Sequence, residues 1–197
     1  MTVVANDRIE MADSDDERDL DEMFAALERM PVPPGYKAEI VEGAIHMTPQ
    51  RDVHWNIIRR IVRAVEDTFG MDVLVFSDVR IDFPGGMNGF APDVAKLRSG
   101  AVKSERGRWR HEDVEFVAEV ISRNTASSDY GPKLATYAAA GVPVYLIADP
   151  YLGRCHLFTE PKDDGYTQEL RVPFGTDLDL SRTALGLVLH TGDFPRD

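Results

Sequence analysis

The sequence has almost no cysteine, since Cys155 is the single one among 197 residues. One thiol can neither close a disulfide within the chain nor supply a thiolate zinc site, so both frameworks are excluded. No apolar run approaches the roughly 18–20 residues that a membrane span needs. The N-terminus lacks the basic start and the apolar stretch of a secretory signal. We therefore expect a cytoplasmic protein with no membrane association.

Net positive charge is also missing, since the formal net charge is −12. DNA is a polyanion that attracts basic surfaces, so this value alone disfavours a nucleic-acid partner. The charge is unevenly spread, however, because residues 1–30 hold ten acidic and three basic residues. The segment 96–110 has the opposite balance, with six basic residues and only Glu105 as an acid. Local charge therefore decides the question of DNA binding.

The composition is that of one globular domain with a tail. Hydrophobic residues make up 43% of the chain, enough to bury a core. We divide the chain into a flexible acidic arm at 1–14 and a single domain at 15–197. The domain comprises an N-terminal helix at 15–30, a core at 36–175 and a C-terminal extension at 176–197. The acidic N-terminal segment most simply forms a solvated helix face; docking on a basic partner, or screening of the protein's own basic segment, is the alternative.

The core combines strands with helices. Alternating stretches at 36–41 and 44–48, joined by Glu42-Gly43, predict a β-hairpin with a two-residue turn. Apolar residues at helical spacing predict helices at 52–69 and 131–140. Mostly apolar, β-branched runs predict further strands at 73–76, 79–83, 90–97, 114–121, 142–148, 154–160 and 165–172. Strands that alternate with helices in this way indicate an α/β fold.

Three polar residues occupy positions that a core element would bury. Asp93 lies in the predicted strand 90–97, and Glu119 lies in the apolar strand 114–121. Lys133 begins the helix that follows. Two carboxylates at adjacent strand ends form a hard-oxygen site for Mg²⁺ or Mn²⁺, and a nearby lysine offsets phosphate charge or positions a water. This set suits metal-assisted phosphodiester hydrolysis. The alternative is a buried ion pair with a structural role.

The order of these residues and the sequence around them resemble a known nuclease superfamily. The matching stretches are YKAEIVEGAI (36–45), His54 at the start of a helix, the Pro-Asp pair at 92–93, and FVAEVISRNTASSDYGPKLATYAAAGVPVYLIADP (116–150). They are similar to the PD-(D/E)XK superfamily and to its putative restriction endonuclease (Uma-type) family. The resemblance covers roughly residues 20–175. It implies a restriction-endonuclease-like core, in which helices flank a mixed central β-sheet.

The resemblance also implies which residues would bind the metal. Asp93 and Glu119 match the positions of the metal-binding carboxylates. Glu39 on the first hairpin strand would be a further acidic member, as a metal ligand or a water-orienting group. The backbone carbonyl of Val120 would add an oxygen ligand. The implied cofactor is Mg²⁺, or Mn²⁺ in its place.

The catalytic lysine departs from the parent pattern of the superfamily. A lysine is expected two residues after the second acid, where this sequence has Ile121. The resemblance places it on the following helix instead, which makes Lys133 the third catalytic residue. Asp129 either caps that helix, which we prefer, or holds the lysine. Ser122 ties down the strand end or contacts phosphate, and His54 either contacts phosphate or is structural.

The basic segment is the predicted DNA-contacting surface. Its cations would neutralise phosphates and its aromatic ring would stack on a base. The residues assigned to this contact are Lys96, Arg98, Lys103, Arg106, Arg108, Trp109 and Arg110. An ordinary solvated loop is the alternative. Arg59, Arg60 and Arg63 would extend the track along the helix 52–69.

The function that these features predict is hydrolysis of DNA by a divalent-metal-dependent endonuclease. A catalytically inactive nuclease-fold module that binds nucleic acid or protein is the alternative. The acidic composition and the missing strand-borne lysine motivate that second interpretation. Cutting of both strands usually needs two sites, so a homodimer is expected.

Overall fold

The computed structural model describes residues 7–32, 34–49, 51–123, 126–163 and 165–197, with side chains from residue 18 onward. The helices are α1 (Asp7–Arg29), α2 (Asp52–Phe69), α3 (Ala126–Asp129) and α4 (Pro132–Ala139). The first strands are β1 (Tyr36–Val41), β2 (Ala44–Pro49), β3 (Val75–Phe76), β4 (Ile81–Phe83), β5 (Asn88–Phe90), β6 (Val94–Leu97) and β7 (Trp109–Arg110). The later strands are β8 (Val114–Val120), β9 (Val144–Asp149), β10 (Arg154–Lys162), β11 (Gly165–Pro173), β12 (Leu178–Asp179) and β13 (Val188–Leu189).

The strands form two principal sheets and one small hairpin. The first sheet has six strands in the order β11-β10-β9-β8-β6-β3, with β8 and β9 parallel and the other neighbours antiparallel. The second has five strands in the order β2-β1-β5-β4-β7. The predicted mixed α/β architecture is therefore confirmed, with the strands shared between two sheets. No helix in the described ranges is long and apolar enough to cross a membrane.

The six-stranded sheet separates two hydrophobic clusters. On β8, Phe116 and Val120 belong to the cluster that α2 covers. Val117 and Ile121 belong to the opposite cluster, which α4 and the five-stranded sheet cover. Because side chains alternate along a strand, Glu119 points to the second cluster. The alternation thus places a carboxylate inside an apolar layer between β8, α4 and β1.

The hairpin of β1 and β2 and the helix α2 agree with their predictions. The turn residues Glu42 and Gly43 have φ values of 49° and 74°, which is the geometry of a tight two-residue turn. Helix α2 has the predicted bounds, and its buried stripe includes Ile57 and Ile61. The position of His54 at the start of α2 therefore follows directly from the sequence pattern.

The predicted strand 90–97 is wrong, because the chain changes sheet in the middle of it. Strand β5 pairs with β1 and β4 in the five-stranded sheet, whereas β6 pairs with β8 in the six-stranded one. Pro92 lies between them and has no N–H to donate to a strand ladder. Its carbonyl accepts instead from the Asp78 N–H at 3.0 Å. Asp93 therefore lies at the crossing between the sheets.

The N-terminal helix begins earlier than predicted. Helix α1 starts at Asp7, so residues 7–14 of the expected arm are helical, and residues 1–6 lie outside the described residues. The physical reason is that no glycine or proline occurs between Asp7 and Arg29. The C-terminal extension at 176–197 belongs to the core, since Leu178 and Leu189 are buried against the α2 cluster.

Helix α1 packs very closely on the five-stranded sheet. Leu20 and Leu27 are buried against Ile40 of β1, and Phe24 packs beside them. A Cβ atom on Gly89 of β5 would lie 2.3 Å from Cε2 of Phe24. Glycine is therefore required at this position for the ring to approach the strand.

We expect Gly89→Ala to lower the free energy of unfolding by about 1–3 kcal/mol, because the added methyl group overpacks the contact with Phe24. Urea denaturation measures the change. Gly192→Ala is the matched control, since no atom lies within 4 Å of a Cβ there, and its effect should stay within about 0.5 kcal/mol. Equal effects of the two substitutions would contradict the close packing of α1.

Candidate active site

Four elements and the crossing before β6 bring the predicted carboxylates and lysine into one cluster. Glu39 lies on β1, Asp93 lies at the crossing before β6, and Glu119 lies on β8. Lys133 comes from the first turn of α4, and Asp129 from the end of α3. All five side chains are buried, and Glu119 is only 2% exposed. The sequence therefore identified residues that the fold places together.

Lys133 is held by three carboxylates. Its Nζ lies 2.5 Å from Glu39 Oε1, 3.1 Å from Glu119 Oε1 and 3.2 Å from Asp129 Oδ1. The Tyr137 hydroxyl, one turn further along α4, donates to the same Glu119 oxygen at 2.8 Å. An ammonium with three such partners has little rotational freedom, so its position in the site is fixed.

Asp93 joins the two sheets through its carboxylate. Its Oδ2 accepts a hydrogen bond from the Val120 N–H at 2.8 Å, and its own N–H donates to Glu119 Oε2 at 3.3 Å. Its Oδ1 accepts from Lys37 Nζ at 2.6 Å. Asp93 and Glu119 are thus adjacent, as the sequence predicted. Val120 lines the same cavity; a ligand role for its carbonyl stays a prediction.

Lys37 is a central residue that the sequence interpretation missed. Besides Asp93, its Nζ lies 3.7 Å from Glu39 Oε2, 3.7 Å from Asp78 Oδ1 and 3.8 Å from Glu119 Oε2. Lys37 and Glu39 are two residues apart on β1, so they point to the same face. That spacing is the signal that would have revealed Lys37. Its ammonium lies where oxygens from several elements converge.

The cluster holds more acidic than basic groups. Fully ionised, four carboxylates (Glu39, Asp93, Glu119 and Asp129) and two ammonium groups (Lys37 and Lys133) carry an excess of negative charge in a buried site. Glu39 Oε2 is buried and has no hydrogen-bond partner among the described residues. Such an excess is costly in a low-dielectric interior unless protons or cations relieve it.

The pKa values show how burial and the lysines compete. Burial raises the pKa of Glu119 to about 8, although the Lys133 and Lys37 ammonium groups oppose the shift. Burial likewise raises the pKa of Asp129 to about 6. Burial would also raise the pKa of Asp93, but Lys37 and the Val120 N–H hold it below its ordinary value. Asp93 thus stays charged, whereas the raised pKa of Glu119 favours its protonated form near neutral pH.

A cavity of about 110 Å³ opens beside the cluster, with Trp55 and Pro49 among its lining residues. This volume has room for several waters, since one water needs roughly 10–15 Å³ on this scale. His54 lines the cavity, and neither of its ring nitrogens has a hydrogen-bond partner within the described part of the chain. Burial lowers the pKa of His54, which favours the neutral imidazole. A neutral His54 at the cavity wall can therefore form a hydrogen bond with a bound molecule.

The roles predicted for the supporting residues Asp129 and Ser122 can be compared with their positions in the structure. Asp129 contacts Lys133, and no side chain caps the start of α4, so the preferred capping interpretation is wrong. The reason is that Asp129 ends α3, so Gly131 rather than Asp129 occupies the N-cap position of α4. Ser122 is buried at the end of β8, where its carbonyl accepts from the Ala126 N–H at 3.1 Å. This placement agrees with a residue that ties down the strand end.

The basic segment is largely neutralised by acids of the same chain. Arg108 contacts Asp21 of α1 and lies 3.0 Å from Asp82, and Arg106 lies 3.9 Å from Asp21. The acidic helix thus screens the protein's own basic segment at Asp21, which is the alternative to the solvated helix face preferred from the sequence. The cations of this segment are therefore less available to phosphates than the sequence implied.

The remaining basic residues of the segment also have partners. Arg98 Nε lies 2.5 Å from Asp113, and Arg110 lies 3.3 Å from Glu112. Lys96 is buried and contacts Glu115, which does not fit the surface contact predicted for it. The cause is the inward position of Lys96 on β6. Lys103 lies with its Nζ 5.3 Å from the centroid of Trp109.

The fold resembles that of a solved structure. The structure is similar to the crystal structure of a putative nuclease of the DUF820 family from Anabaena variabilis, with a TM-score of 0.67. The two share 17% sequence identity, and the similarity covers 89% of this chain and 96% of the other. At this identity the likeness shows the fold alone.

The family follows from the sequence comparison. Residues 9–192 match the family model Uma2, described as "Putative restriction endonuclease". The chain belongs to this family, which confirms the resemblance seen in the sequence. No curated protein matches it significantly in sequence. This family membership supports a nuclease function.

We expect the metal-free protein to lose stability as the pH rises from about 5 to about 8. The raised pKa of Glu119 means that the folded state keeps a proton that the unfolded state has released above pH 4.5. Stability from this group is complete at low pH and is lost as the pH passes through about 8. Urea denaturation across this range measures the trend.

Glu119→Gln should flatten that pH dependence, because glutamine is neutral at every pH and retains the shape of the protonated acid. Glu160→Gln, on the exposed part of β10, is the matched control and should leave the trend as in the wild type. A wild-type stability that rises between pH 5 and 8 would contradict the assignment of a buried, proton-retaining carboxylate.

Proposed function

We propose that the protein is a divalent-metal-dependent endonuclease that hydrolyses phosphodiester bonds in DNA at this cavity. One observation carries the proposal: Asp93, Glu119 and Lys133 come from three separate elements and meet in one buried cluster. A purely structural ion pair would not need more carboxylates than ammonium groups. Nuclease chemistry does need such an excess, because a cation must be held against the negative phosphate.

The residues present fit a magnesium ion. Mg²⁺ is commonly bound through one or two carboxylates, with waters and substrate phosphate completing its shell. Asp93 and Glu119 supply that pair, and Val120 O and Glu39 would be additional oxygen ligands. Among the described residues no group of three or more acidic, histidine or cysteine side chains is placed to hold a metal ion. The open, two-carboxylate type of site is therefore the one that fits.

The protein's own groups have distinct roles in this proposal. A bound Mg²⁺ or Mn²⁺ would supply Lewis-acid stabilisation of negative charge on the phosphate and lower the pKa of a water. Lys133, fixed by Glu39 and Asp129, holds a positive charge beside the reacting phosphate. The neutral His54 accepts or donates a hydrogen bond at the cavity wall. Lys37, which now contacts Asp93 at 2.6 Å, would be available to contact phosphate if Asp93 held a cation instead.

The inactive binding module remains the second candidate for one specific reason. Lys37 Nζ donates to Asp93 at 2.6 Å, so the chain supplies a cation of its own to the main carboxylate. If that contact persists when Mg²⁺ is present, Lys37 neutralises Asp93 in place of a metal ion, and the site is not catalytic. The homodimer and the cytoplasmic location expected from the sequence stay predictions.

We expect the wild-type protein to nick supercoiled plasmid in Mg²⁺ or Mn²⁺ and Asp93→Asn to nick it at least about 100-fold more slowly. The amide keeps the shape of the side chain but loses the charge that holds the cation. Lys133→Met should cause a loss of similar size, because the fixed positive charge is absent. Gel quantification of nicked and linear plasmid measures the rates.

Asp179→Asn is the matched control, because Asp179 is exposed on β12 and away from the cavity, and it should nick at the wild-type rate. Circular dichroism shows whether each variant is folded. Nicking that persists unchanged in folded Asp93→Asn and Lys133→Met would refute the proposed site. Absence of nicking in every variant, including the wild type, would favour the binding module.

We expect Mn²⁺ to stabilise the wild-type protein by about 2.7 kcal/mol when its concentration is 100 times its dissociation constant. At one fixed Mn²⁺ concentration the stabilisation should be larger at pH 8 than at pH 6, since the cation and a proton compete for Glu119. Thermal denaturation with and without Mn²⁺ measures it. Stabilisation of Asp93→Asn equal to that of the wild type would place the cation elsewhere.

A further inference from the structure

We infer that a groove along α2 binds an unpaired stretch of the nucleic-acid strand next to the scissile phosphate, with one base stacked on Trp55. This inference rests on the proposed nuclease function and specifies its substrate. The groove has a volume of about 590 Å³ and lies between α2 and β3. No residue of the catalytic cluster lines it.

Trp55 connects the groove to the active site. Its side chain lines both the catalytic cavity and the groove. It is 58% exposed, which is unusual for a large aromatic residue in a folded domain. His54, the preceding residue, is buried in the cavity wall. A strand that leaves the cavity on this side therefore passes directly over the indole ring.

The charge of the groove suits a phosphate backbone. Arg59, Arg60 and Arg63 line it, together with Glu66 and Asp67. Arg59 is exposed and has no acidic partner in the described part of the chain. Arg63 pairs with Asp67 at 3.6 Å across an exposed helix turn, a contact of little strength. Arg60 lies 3.6 Å from Asp193, which is itself largely exposed. Phosphates can therefore replace these weak partners.

The arginines of the groove are bound less strongly by acidic side chains than those of the basic segment. Arg108 of that segment is bound by Asp21 and Asp82 in partly buried contacts. Arg59 and Arg63 of α2 have nothing comparable. Neutralised cations release few counterions on binding DNA, whereas free ones contribute fully. The smaller basic cluster on α2 is thus the better phosphate-binding surface.

The far end of the groove leads to the unneutralised part of the basic segment. Phe76 lines the groove and stacks on Trp109 with 5.1 Å between ring centroids. Lys103 lies over the ring of Trp109. Aromatic rings and cations thus follow one another from Trp55 through Arg59 to Lys103. This alternation is typical of surfaces that bind single strands without sequence preference.

An unpaired strand fits the site better than an intact duplex does. Asp93 and Glu119 are at most 8% exposed, so a phosphate must enter a narrow cavity to reach them. A single strand bends easily into such a cavity, whereas a duplex is stiff over this distance. A base can also stack on the face of Trp55 only when it is free of its partner strand.

The test is equilibrium binding of a fluorescently labelled oligothymidylate and of a hairpin duplex of the same length, measured by anisotropy in EDTA. We expect the single strand to bind more tightly than the duplex. Trp55→Ala should weaken single-strand binding about 5- to 100-fold, because one stacking contact is lost. Trp55→Phe should recover part of that loss.

The arginines are tested through the salt dependence of the same binding. Arg59→Gln combined with Arg63→Gln should reduce the slope of log K against log salt by about 1.4, at roughly 0.7 for each phosphate contact. Arg29→Gln combined with Lys162→Gln removes the same charge from exposed positions outside the groove. This control pair should leave the slope unchanged.

Equal salt slopes for the two double variants would overturn the inference, and so would tighter binding of the duplex or no effect of Trp55→Ala. EDTA separates this test from the proposed catalysis. Binding that follows the expected pattern without cleavage in Mg²⁺ would support the groove and refute the nuclease. Cleavage in Mg²⁺ together with unchanged binding by the groove variants would support the nuclease and refute the groove.

Discussion

Two lysine ammonium groups and four carboxylates share one buried cluster. The balance of their charges determines how the surrounding strands and helices are held together. Lys133 draws Glu39, Glu119 and Asp129 together, which ties β1, β8, α3 and α4 to a single point. Removal of one partner from a buried pair costs about 3–5 kcal/mol, because the other charge is left uncompensated. Burial keeps a proton on Glu119, and the excess of acids makes the site receptive to a divalent cation.

The two-sheet architecture explains why the cluster can exist in an apolar layer. Alternation along β8 turns Glu119 toward the space between the sheets. The change of sheet at Pro92 brings Asp93 to the same space from another direction. The carboxylates thus arise from two ordinary features of strands, side-chain alternation and a proline break. Neither requires a dedicated loop, so the site is built on rigid elements of the fold.

Local patterns in the sequence predicted the hairpin, α2, β8 and the residues Asp93, Glu119 and Lys133. Each has a signal within a few residues, either a periodicity or a charge where an apolar residue is expected. Lys37 has a weaker signal, its two-residue spacing from Glu39, and was missed because a lysine near the start of a strand is usually solvated. The neutralisation of Arg108 by Asp21 depends on contacts between segments far apart in the chain. Such tertiary contacts decide whether a basic segment is available, and composition does not reveal them.

In the proposed mechanism a divalent cation replaces the Lys37 ammonium beside Asp93. The most direct measurement is a crystal structure of the protein in Mn²⁺, with the ion located by its anomalous scattering. We expect an anomalous peak in contact with the carboxylates of Asp93 and Glu119. We also expect Lys37 to be displaced from its 2.6 Å contact with Asp93. No peak at these carboxylates in crystals saturated with Mn²⁺, with Lys37 still bound to Asp93, would contradict it.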